Sequence, residues 1–399
     1  MPLNILVVDR SAPIADTQGN ELIARHIFPI LRRDHHLTLV APVSGDEAAA
    51  RAAMADLFDE VHLVPRARRI PSIAGSLEPA LARRGLRVSA PIDSAAAGRL
   101  RSAIHEAVGA RRVDVAHVRQ LPMAGFAADV GTTPCLLELI DSEALASARD
   151  PDRSLRGAVR RRLAPGIERR AIRAFDVVTL VAEPDARAVR ALDPDRRVEV
   201  VANGVDVEAF RPRPDVPIDP DSIVFVGAMS FGPNIAAVEW FIREILPRIV
   251  AIRPAATFTV VGRDPTPAIE ELGSRPGVTV TGRVDDVRAY LAAASVVVTP
   301  MVSGSGIKNK VLEALAMQRP VASTPLGVEG VAAVAGRDLV VASDPDELAR
   351  AIAGLLADRG EAERIAVNGR RLVEAMYTWE AAAARYAGLY AELAAGGPR

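Results

Sequence analysis

Short apolar segments of β type alternate with Ala- and Arg-rich helical stretches along the whole chain. Strands that are apolar throughout and separated by helices are typical of parallel sheets covered on both faces. The alternation stops in the proline-rich interval FRPRPDVPIDPDS, residues 210–222, and then restarts. Because proline fixes φ and lacks an N–H donor, neither sheet continues through this interval. The pattern predicts an α/β protein with two doubly wound domains.

The predicted strands form one series before the proline-rich interval and one after it. The first series covers residues 5–9, 37–42, 61–65, 113–118, 135–141, 177–181 and 198–203, and the second covers 223–227, 258–262, 278–282, 296–300, 321–324 and 339–343. Doubly wound sheets bind ligands beyond the carboxyl ends of their strands. We therefore expect the loops after these strands to carry the functional residues and to rim a cleft between the domains.

The composition excludes several classes of protein. The 399 residues carry a formal net charge of -1, which gives no overall attraction to nucleic acid. The single cysteine, Cys135, lies in an apolar run, so we expect a buried thiol and no disulfide framework or cysteine-based metal site. The first residues do not resemble a signal peptide, and no apolar run of about 18 residues exists that could span a membrane. We expect a cytoplasmic protein.

Residues 153–173 concentrate positive charge, with eight arginines against one acid, Glu168. The apolar residues Leu155, Val159 and Leu163 recur at helical spacing within this segment. One interpretation is a solvated basic face of a helix. The other is a patch for an anionic lipid surface or a phosphate-bearing acceptor, which would place the protein peripherally on the inner face of the membrane.

The segment SGSGIKNKVLEALA, residues 303–316, contains both lysines of the chain, Lys308 and Lys310, among 49 basic residues. Its glycines let the backbone approach a ligand closely, and we expect a helix to begin near Ile307 whose unpaired N–H groups favour an anion. On a helix the two lysines would lie about 200° apart, so only one faces the ligand. Lys308 is nearer the loop and is our choice, with Lys310 structural; the alternative is a chance pair that caps the helix.

Glu313 follows in an otherwise apolar helical stretch. A carboxylate that faces a cleft can accept two hydrogen bonds from the vicinal hydroxyls of a ribose. The alternative is an exposed helix glutamate. The glycine-lysine spacing is not that of a Walker A loop, and no dinucleotide-binding glycine fingerprint follows the first strand, which disfavours a dehydrogenase.

With these motifs in order, the chain resembles the GT-B glycosyltransferases of the retaining family 4. The segment VVANGVDVEAFRP, residues 200–212, is similar to their interdomain signature, and the stretch from VTVTGRVDD to LGVEGV is similar to their donor-binding core. The pattern is close to bacterial sugar transferases of exopolysaccharide and surface-glycan loci. The resemblance implies an acceptor domain at 1–203, a nucleotide-sugar domain at 204–377, and a terminal helix at about 378–399 that packs back on the first domain.

The resemblance also implies which residues bind the donor. Glu313 corresponds to the glutamate that holds the nucleotide ribose. The backbone that meets the diphosphate and sugar corresponds to Gly304, Ser305, Gly306 and Ile307. The turn beside the nucleobase corresponds to Gly282, Arg283 and Val284, and Gly227 heads the loop on the opposite wall.

In the first domain the resemblance points to an acceptor region. Gly19 and Asn20 correspond to the glycine-rich turn after the first strand, and Asp141 and Glu143 lie in a loop similar to the family's acceptor loop. His117 and Arg119 stand where many members carry two histidines. His117 is either catalytic or a packed strand-end histidine, and Arg119 either binds a phosphate or acidic acceptor or has a surface role.

Three departures bear on catalysis. Ser305 stands where many members have the first glutamate of a Glu-x7-Glu pair, and Ala228 and Asn234 stand where they place diphosphate-binding Arg and Lys. Lys308 and Arg263 are then the expected replacement cations. The catalytic residues that we predict are Lys308, Arg119 and His117.

The function that the resemblance implies is transfer of a sugar, with retention, from a UDP- or GDP-sugar to a glycan, lipid-linked or small-molecule acceptor. No metal or other cofactor is expected. Two alternatives remain open at this point: a non-catalytic GT-B protein that binds a nucleotide sugar or glycan, and an epimerase that acts on a nucleotide sugar.

Overall fold

A computed structural model of the chain describes residues 1–14, 19–66, 94–149, 154–304 and 306–396. The backbone divides into two compact units. Unit 1 comprises Met1–Ala202 together with Trp379–Arg399, and unit 2 comprises Asn203–Thr378. The proline-rich interval, residues 210–222, lies inside unit 2 and not at its boundary.

Unit 1 is built on a parallel sheet of seven strands among its described residues. The strands are β1 (Asn4–Val8), β2 (His36–Val43), β3 (Glu60–Pro65), β4 (Val115–Arg119), β5 (Cys135–Glu138), β6 (Val177–Leu180) and β7 (Arg197–Val200), in the order β3-β2-β1-β4-β5-β6-β7. The helices are α1 (Gly19–Leu31), α2 (Glu47–Met54), α3 (Ser94–Ala110), a 3-10 helix (Leu121–Val130), α4 (Glu143–Arg149), α5 (Leu155–Ile172) and α6 (Glu183–Leu192). The 3-10 helix was not expected from the sequence.

Unit 2 repeats this design with six parallel strands in its described part. They are β8 (Ser222–Val226), β9 (Thr257–Val261), β10 (Val278–Val280), β11 (Val296–Thr299), β12 (Val321–Ser323) and β13 (Val340–Val341), in the order β10-β9-β8-β11-β12-β13. The helices are α7 (Gly232–Trp240), a π-helical turn (Phe241–Ile245), α8 (Leu246–Ile252), α9 (Pro267–Leu272), α10 (Val287–Ala293), α11 (Asn309–Ala316), α12 (Pro345–Ala357) and α13 (Arg359–Met376).

The chain ends in helix α14 (Trp379–Ala395), which belongs to unit 1 and packs against α1. The Trp379 ring stacks on His26 with centroids 4.8 Å apart. The buried Tyr390 hydroxyl lies 2.6 Å from Nδ1 of His117 on β4. Apolar stacking and a hydrogen bond to the sheet therefore hold the last helix on unit 1.

The sheet of unit 1 buries a charged cluster at the carboxyl ends of its central strands. Arg119 is fully buried and pairs with Asp9, which follows β1, and with both oxygens of Glu138 on β5, at 3.0 and 2.8 Å. It also donates to the Asn20 carbonyl oxygen at 2.9 Å, and its guanidinium lies over the Phe28 ring, 5.5 Å from the centroid. Burial would lower the pKa of Arg119, but the charges of Asp9 and Glu138 hold that pKa above its ordinary value. The surface role considered for Arg119 is therefore wrong.

His117 belongs to the same cluster, with Nε2 2.9 Å from Glu138 Oε2 and Nδ1 on Tyr390. Burial raises the pKa of Glu138, but Arg119 and the hydrogen bond from His117 reverse this and hold the pKa well below its usual range. Both predicted catalytic residues of unit 1 are thus buried and already bound to protein partners. Their contacts are those of structural residues, because the cluster ties three strands and α14 together.

The arginine-rich segment forms α5, but its core-facing side is not the one that the apolar spacing indicated. The buried residues of the helix are Gly157, Ala164, Glu168, Ala171 and Ile172, whereas Leu155 is 82% exposed. Glu168 faces inward because its carboxylate accepts hydrogen bonds from the Ser142 hydroxyl and from the first backbone N–H groups of α4. The arginines are left on the outer side.

Replacing Arg119 by leucine should destabilise unit 1 strongly, because Asp9 and Glu138 would remain buried without a countercharge. We expect a loss of about 3–5 kcal/mol in the free energy of unfolding. Urea unfolding followed by circular dichroism measures it.

The matched control is Arg112→Leu, since Arg112 is 89% exposed beside Asp114. An exposed pair contributes little to stability, so no measurable change is expected. A loss for Arg119→Leu no larger than that of the control would contradict the structural role of the cluster.

Candidate functional site

The carboxyl ends of β8 and β9 meet at two glycines in unit 2. The Gly227 amide donates to the Val261 carbonyl at 2.9 Å. A Cβ at Gly262 would lie 1.8 Å from the Gly227 oxygen, and a Cβ at Gly227 would lie 2.7 Å from Nδ2 of Asn234. Only glycine at both positions therefore lets the two loops touch.

The loop after β8 folds over this point and leads into α7. The Met229 amide donates to the Arg263 carbonyl at 2.8 Å, and Nδ2 of Asn234 donates to the Ala228 carbonyl at 2.9 Å. Asn234 is buried. Ala228 and Asn234 stand where many members of the resembled family have Arg and Lys. These two neutral residues are hydrogen-bonded to each other.

The glycine-rich loop after β11 lies against the same place. Gly304 and Gly306 have φ values of 106° and 69°, which favour glycine, and a Cβ at Gly304 would lie 3.5 Å from the Pro233 side chain. Ser305 lies outside the described residues. Helix α11 begins at Asn309, not near Ile307 as expected, and the buried Ile307 precedes it.

This later start changes the geometry of the two lysines. Lys308 is the N-cap residue with an extended backbone, so the 200° separation expected for two helical residues does not apply. Its buried Nζ turns back to the Gly306 carbonyl of its own loop, at 2.5 Å. Lys310 instead reaches the loop after β8: its Nζ donates to Asn234 Oδ1 at 2.6 Å and lies 4.2 Å from the Phe225 ring centroid. Lys310, which we expected to be structural, is thus the lysine that contacts the loop after β8, and the choice of Lys308 as the ligand-facing lysine stays a prediction.

Glu313 lies one turn beyond Lys310 on α11 and is half-buried. Burial raises the pKa of Glu313 to about 7, against the opposing charge of Lys310. Burial likewise lowers the pKa of Lys310 to about 7, opposed by Glu313 and reinforced by Lys308. Among the described residues, no side chain or backbone group forms a hydrogen bond or ion pair with the Glu313 carboxylate. The site therefore holds two ionisable groups whose charged forms the protein compensates only in part.

The other predicted donor residues lie on neighbouring loops of unit 2. Gly282 has a φ of 67° and lines a shallow pocket of about 400 Å³ along β10. Arg283 is exposed and Val284 half-buried in the turn that follows. Arg263 pairs with its neighbour Asp264 at 2.9 Å and is 43% exposed.

Sequence reasoning missed one polar contact beneath this site. Nδ2 of Asn203 donates to Oδ1 of Asn309, at 3.0 Å, and Asn309 opens α11. Asn203 belongs to the segment VVANGVD, whose resemblance to the interdomain signature could have indicated a role at the site. The contact anchors the start of α11 to the first residue of unit 2.

The predicted acceptor residues of unit 1 do not form one cluster. Gly19 and Asn20 open α1, and Asn20 contacts Arg119 through its carbonyl. Asp141 and Glu143 follow β5, and Oε1 of Glu143 accepts from Arg160 of α5 at 2.9 Å. The structure thus joins Asn20 to the buried cluster and joins Glu143 to the arginine-rich helix.

Two further features of the described residues concern ligands and membranes. Within the described ranges, no group of three or more His, Cys, Asp and Glu side chains is arranged to hold a metal ion. In the same ranges, no helix is both long enough and apolar enough to cross a bilayer.

Comparison with known proteins identifies the part of the chain that carries this site. Residues 220–358 match the family model described as glycosyl transferases group 1. This segment is similar to the group 1 glycosyltransferases. The match contains β8 to β13 and both loops around Lys310, so Lys310 and Glu313 lie inside the matched segment.

Solved structures extend the likeness of the fold to the whole chain. The similarity to sucrose-phosphate synthase from Thermosynechococcus elongatus spans 99% of this chain and 100% of the synthase chain, with a TM-score of 0.72 and 16% identity. HepE of Anabaena in complex with UDP covers 98% of this chain and 100% of its own, with a TM-score of 0.69 and 15% identity. Together with the two parallel sheets, these similarities confirm the predicted GT-B fold.

A curated relative is an uncharacterised protein of the cps region of Klebsiella pneumoniae, 24% identical over 164 residues. The match spans 39% of this chain and 42% of the relative, so the chain spans less than half of that protein. Membership of family 4 in particular, and retention of anomeric configuration, stay predictions from the sequence.

Proposed function

We propose that this protein transfers a sugar from a nucleotide-sugar donor, held by unit 2, to an acceptor held by unit 1. One observation carries the proposal: Glu313 and Lys310 lie half-buried and incompletely compensated where the loops after β8 and β11 meet. A ribose offers hydroxyl donors to the carboxylate, and a diphosphate offers charge to the ammonium. The solved structures of HepE with UDP and with UDP-glucose support a donor of this class.

The chemistry proposed for this site is stabilisation of a leaving group. As the bond between the sugar and the diphosphate breaks, negative charge grows on the β-phosphate. The backbone N–H groups at the start of α11 and the nearby ammonium group are placed to stabilise that charge. Each well-placed donor of this kind commonly contributes about 3–4 kcal/mol. The departing phosphate then takes the proton of the attacking acceptor hydroxyl.

Retention and the identity of the base are the finer parts of the proposal. UDP is the first nucleotide to test, because the HepE structure contains UDP, and GDP is the second. The acceptor that we propose is a glycan or a lipid-linked glycan, supported by the likeness to a cps-region protein. Release of the nucleoside diphosphate only when an acceptor is present would distinguish transfer from epimerisation.

The outer face of α5 suits an acceptor that lies at an anionic membrane surface. Four exposed arginines, Arg156, Arg162, Arg169 and Arg170, accompany the exposed Leu155 there. Basic side chains near an anionic leaflet contribute roughly 1 kcal/mol each to binding. We propose peripheral membrane contact through this face, with the nucleotide site in unit 2.

The donor site is tested by thermal shift with UDP, GDP, ADP and TDP on the wild type and on Glu313→Gln. A ligand at 100 times its dissociation constant stabilises a protein by about 2.7 kcal/mol. We expect one nucleotide to shift the wild type and to shift Glu313→Gln much less, because an amide accepts ribose hydroxyls more weakly than a carboxylate does.

The control for that test is Glu363→Gln, an exposed glutamate of α13 in the same unit. It should respond to the nucleotide as the wild type does. A wild type that responds to none of the four nucleotides would overturn the proposed function. Binding without any transfer to glycan or lipid-linked acceptors would favour the non-catalytic alternative.

Membrane contact is tested by flotation with vesicles that contain about 30% phosphatidylserine, which gives them a negative surface like that of a cytoplasmic leaflet. Changing Arg156, Arg162, Arg169 and Arg170 to glutamine should reduce the bound fraction at least about tenfold, since each removes roughly 1 kcal/mol. The control changes four exposed arginines of unit 2, Arg275, Arg350, Arg359 and Arg371, and so alters the net charge equally. Equal binding by both variants would contradict contact through α5.

A further inference from the structure

Lys310 is held in an unusual position for a lysine of a soluble helix. One N–H of its ammonium group donates to Asn234 Oδ1, and the group lies over the Phe225 ring. Asn234 is fixed in turn by its hydrogen bond to the Ala228 carbonyl, at 2.9 Å. Since Asn234 is the ammonium's one hydrogen-bond partner among the described residues, two N–H donors of Lys310 remain for a ligand.

Space is left next to these donors. A Cβ at Gly227 would lie 2.9 Å from the Lys310 Nζ, so the absence of a side chain there keeps the approach to the ammonium open. The glycine-rich loop also approaches α7, because a Cβ at Gly304 would lie 3.5 Å from the Pro233 side chain. The ammonium of α11 therefore lies against the loop after β8, next to Gly227 and Asn234.

Lys308 differs from Lys310 because its ammonium group contacts its own loop and not the loop after β8. It is buried, and its Nζ donates to the Gly306 carbonyl in its own loop. That contact closes a short ring between residues 306 and 308 and fixes the approach of the chain to α11. Lys308 therefore has the contacts of a residue that shapes the loop.

We propose that Lys310 is the cation that binds the diphosphate of the donor, and that Lys308 positions the glycine-rich loop. This inference rests on the proposed function, and it assigns the ligand class, a nucleoside diphosphate, to a specific ammonium group. It also accounts for the neutral Asn234 opposite: the amide oxygen orients the lysine that enters from α11.

Electrostatics of the site agree with a binding role. Burial lowers the pKa of Lys310 to about 7; Glu313 opposes this shift and Lys308 adds to it, while Asn234 and Phe225 are neutral. Because the folded-state pKa lies below the ordinary value, the charged lysine destabilises the unliganded fold fully below about pH 7, and this cost fades as the pH rises from there to the ordinary pKa. A bound diphosphate would supply the missing countercharge. Neutralising Lys310 should therefore weaken binding without weakening the fold.

The experiment compares Lys310→Met with Lys308→Met by calorimetric titration with UDP and with uridine, and by thermal unfolding without ligand. GDP and guanosine replace these probes if UDP does not bind. For Lys310→Met we expect a loss of about 10- to 100-fold in UDP affinity, the value of a charge-assisted hydrogen bond. Uridine affinity should be unchanged, and the unfolding temperature equal to or above that of the wild type.

Lys308→Met should instead lower the unfolding temperature and weaken UDP and uridine together, because the loop shape is lost. If wild-type protein binds UDP and Lys310→Met binds it equally well, the inference fails while the proposed function stands. A Lys310→Met variant that loses stability and weakens uridine as much as UDP would also overturn it, because Lys310 would then be structural. If the wild type binds neither diphosphate, the proposed function itself fails.

A pH series gives a second readout. Above pH 7 the phosphates of UDP are already ionised, so UDP affinity of the wild type should fall as Lys310 loses its proton. Lys310→Arg keeps its charge and should abolish that alkaline fall. An alkaline fall of the same size in Lys310→Arg would contradict the assignment.

Discussion

Parallel pairing of β8 with β9 and with β11 is the constraint on which the site depends. Strands that run the same way end at the same edge of the sheet, so the loops after β8, β9 and β11 must lie side by side. Glycines at 227 and 262 then let two of the loops touch, and those at 304 and 306 let the third turn toward them. Lys310 and Glu313 enter this edge because α11 starts directly after the third loop.

The two units bury charge in different ways. In unit 1, Arg119 lies between Asp9 and Glu138, and those partners hold its pKa above the ordinary value. In unit 2, burial drives the pKa of Lys310 down and that of Glu313 up, each to about 7, because neither finds a full partner in the protein. Compensated charge fixes a structure, whereas uncompensated charge is characteristic of a binding or catalytic site. This contrast favours α11, and not Arg119 and His117, as the location of the proposed binding site.

The sequence was sufficient for the parts of the fold that depend on local pattern. Apolar runs located the strands, and the glycine-rich loop with Glu313 located the candidate site. The proline-rich interval separates the two strand series, but it lies inside unit 2, which begins at Asn203. It was insufficient where a role depends on distant partners: Asp9 and Glu138 are 110 and 19 residues from Arg119 along the chain. The orientation of the two lysines could not be derived from the sequence for a local reason: α11 starts two residues later than expected, at Asn309, and Lys308 is its N-cap residue.

The most direct test of this account is amide hydrogen exchange of the full chain with and without UDP, or GDP if UDP does not bind. The account predicts slower exchange on binding in residues 227–234 and 303–313, the two loops that hold Lys310 and Glu313. Binding that leaves exchange in both segments unchanged, or that slows exchange in unit 1 alone, would contradict the claim that these loops of unit 2 hold the donor.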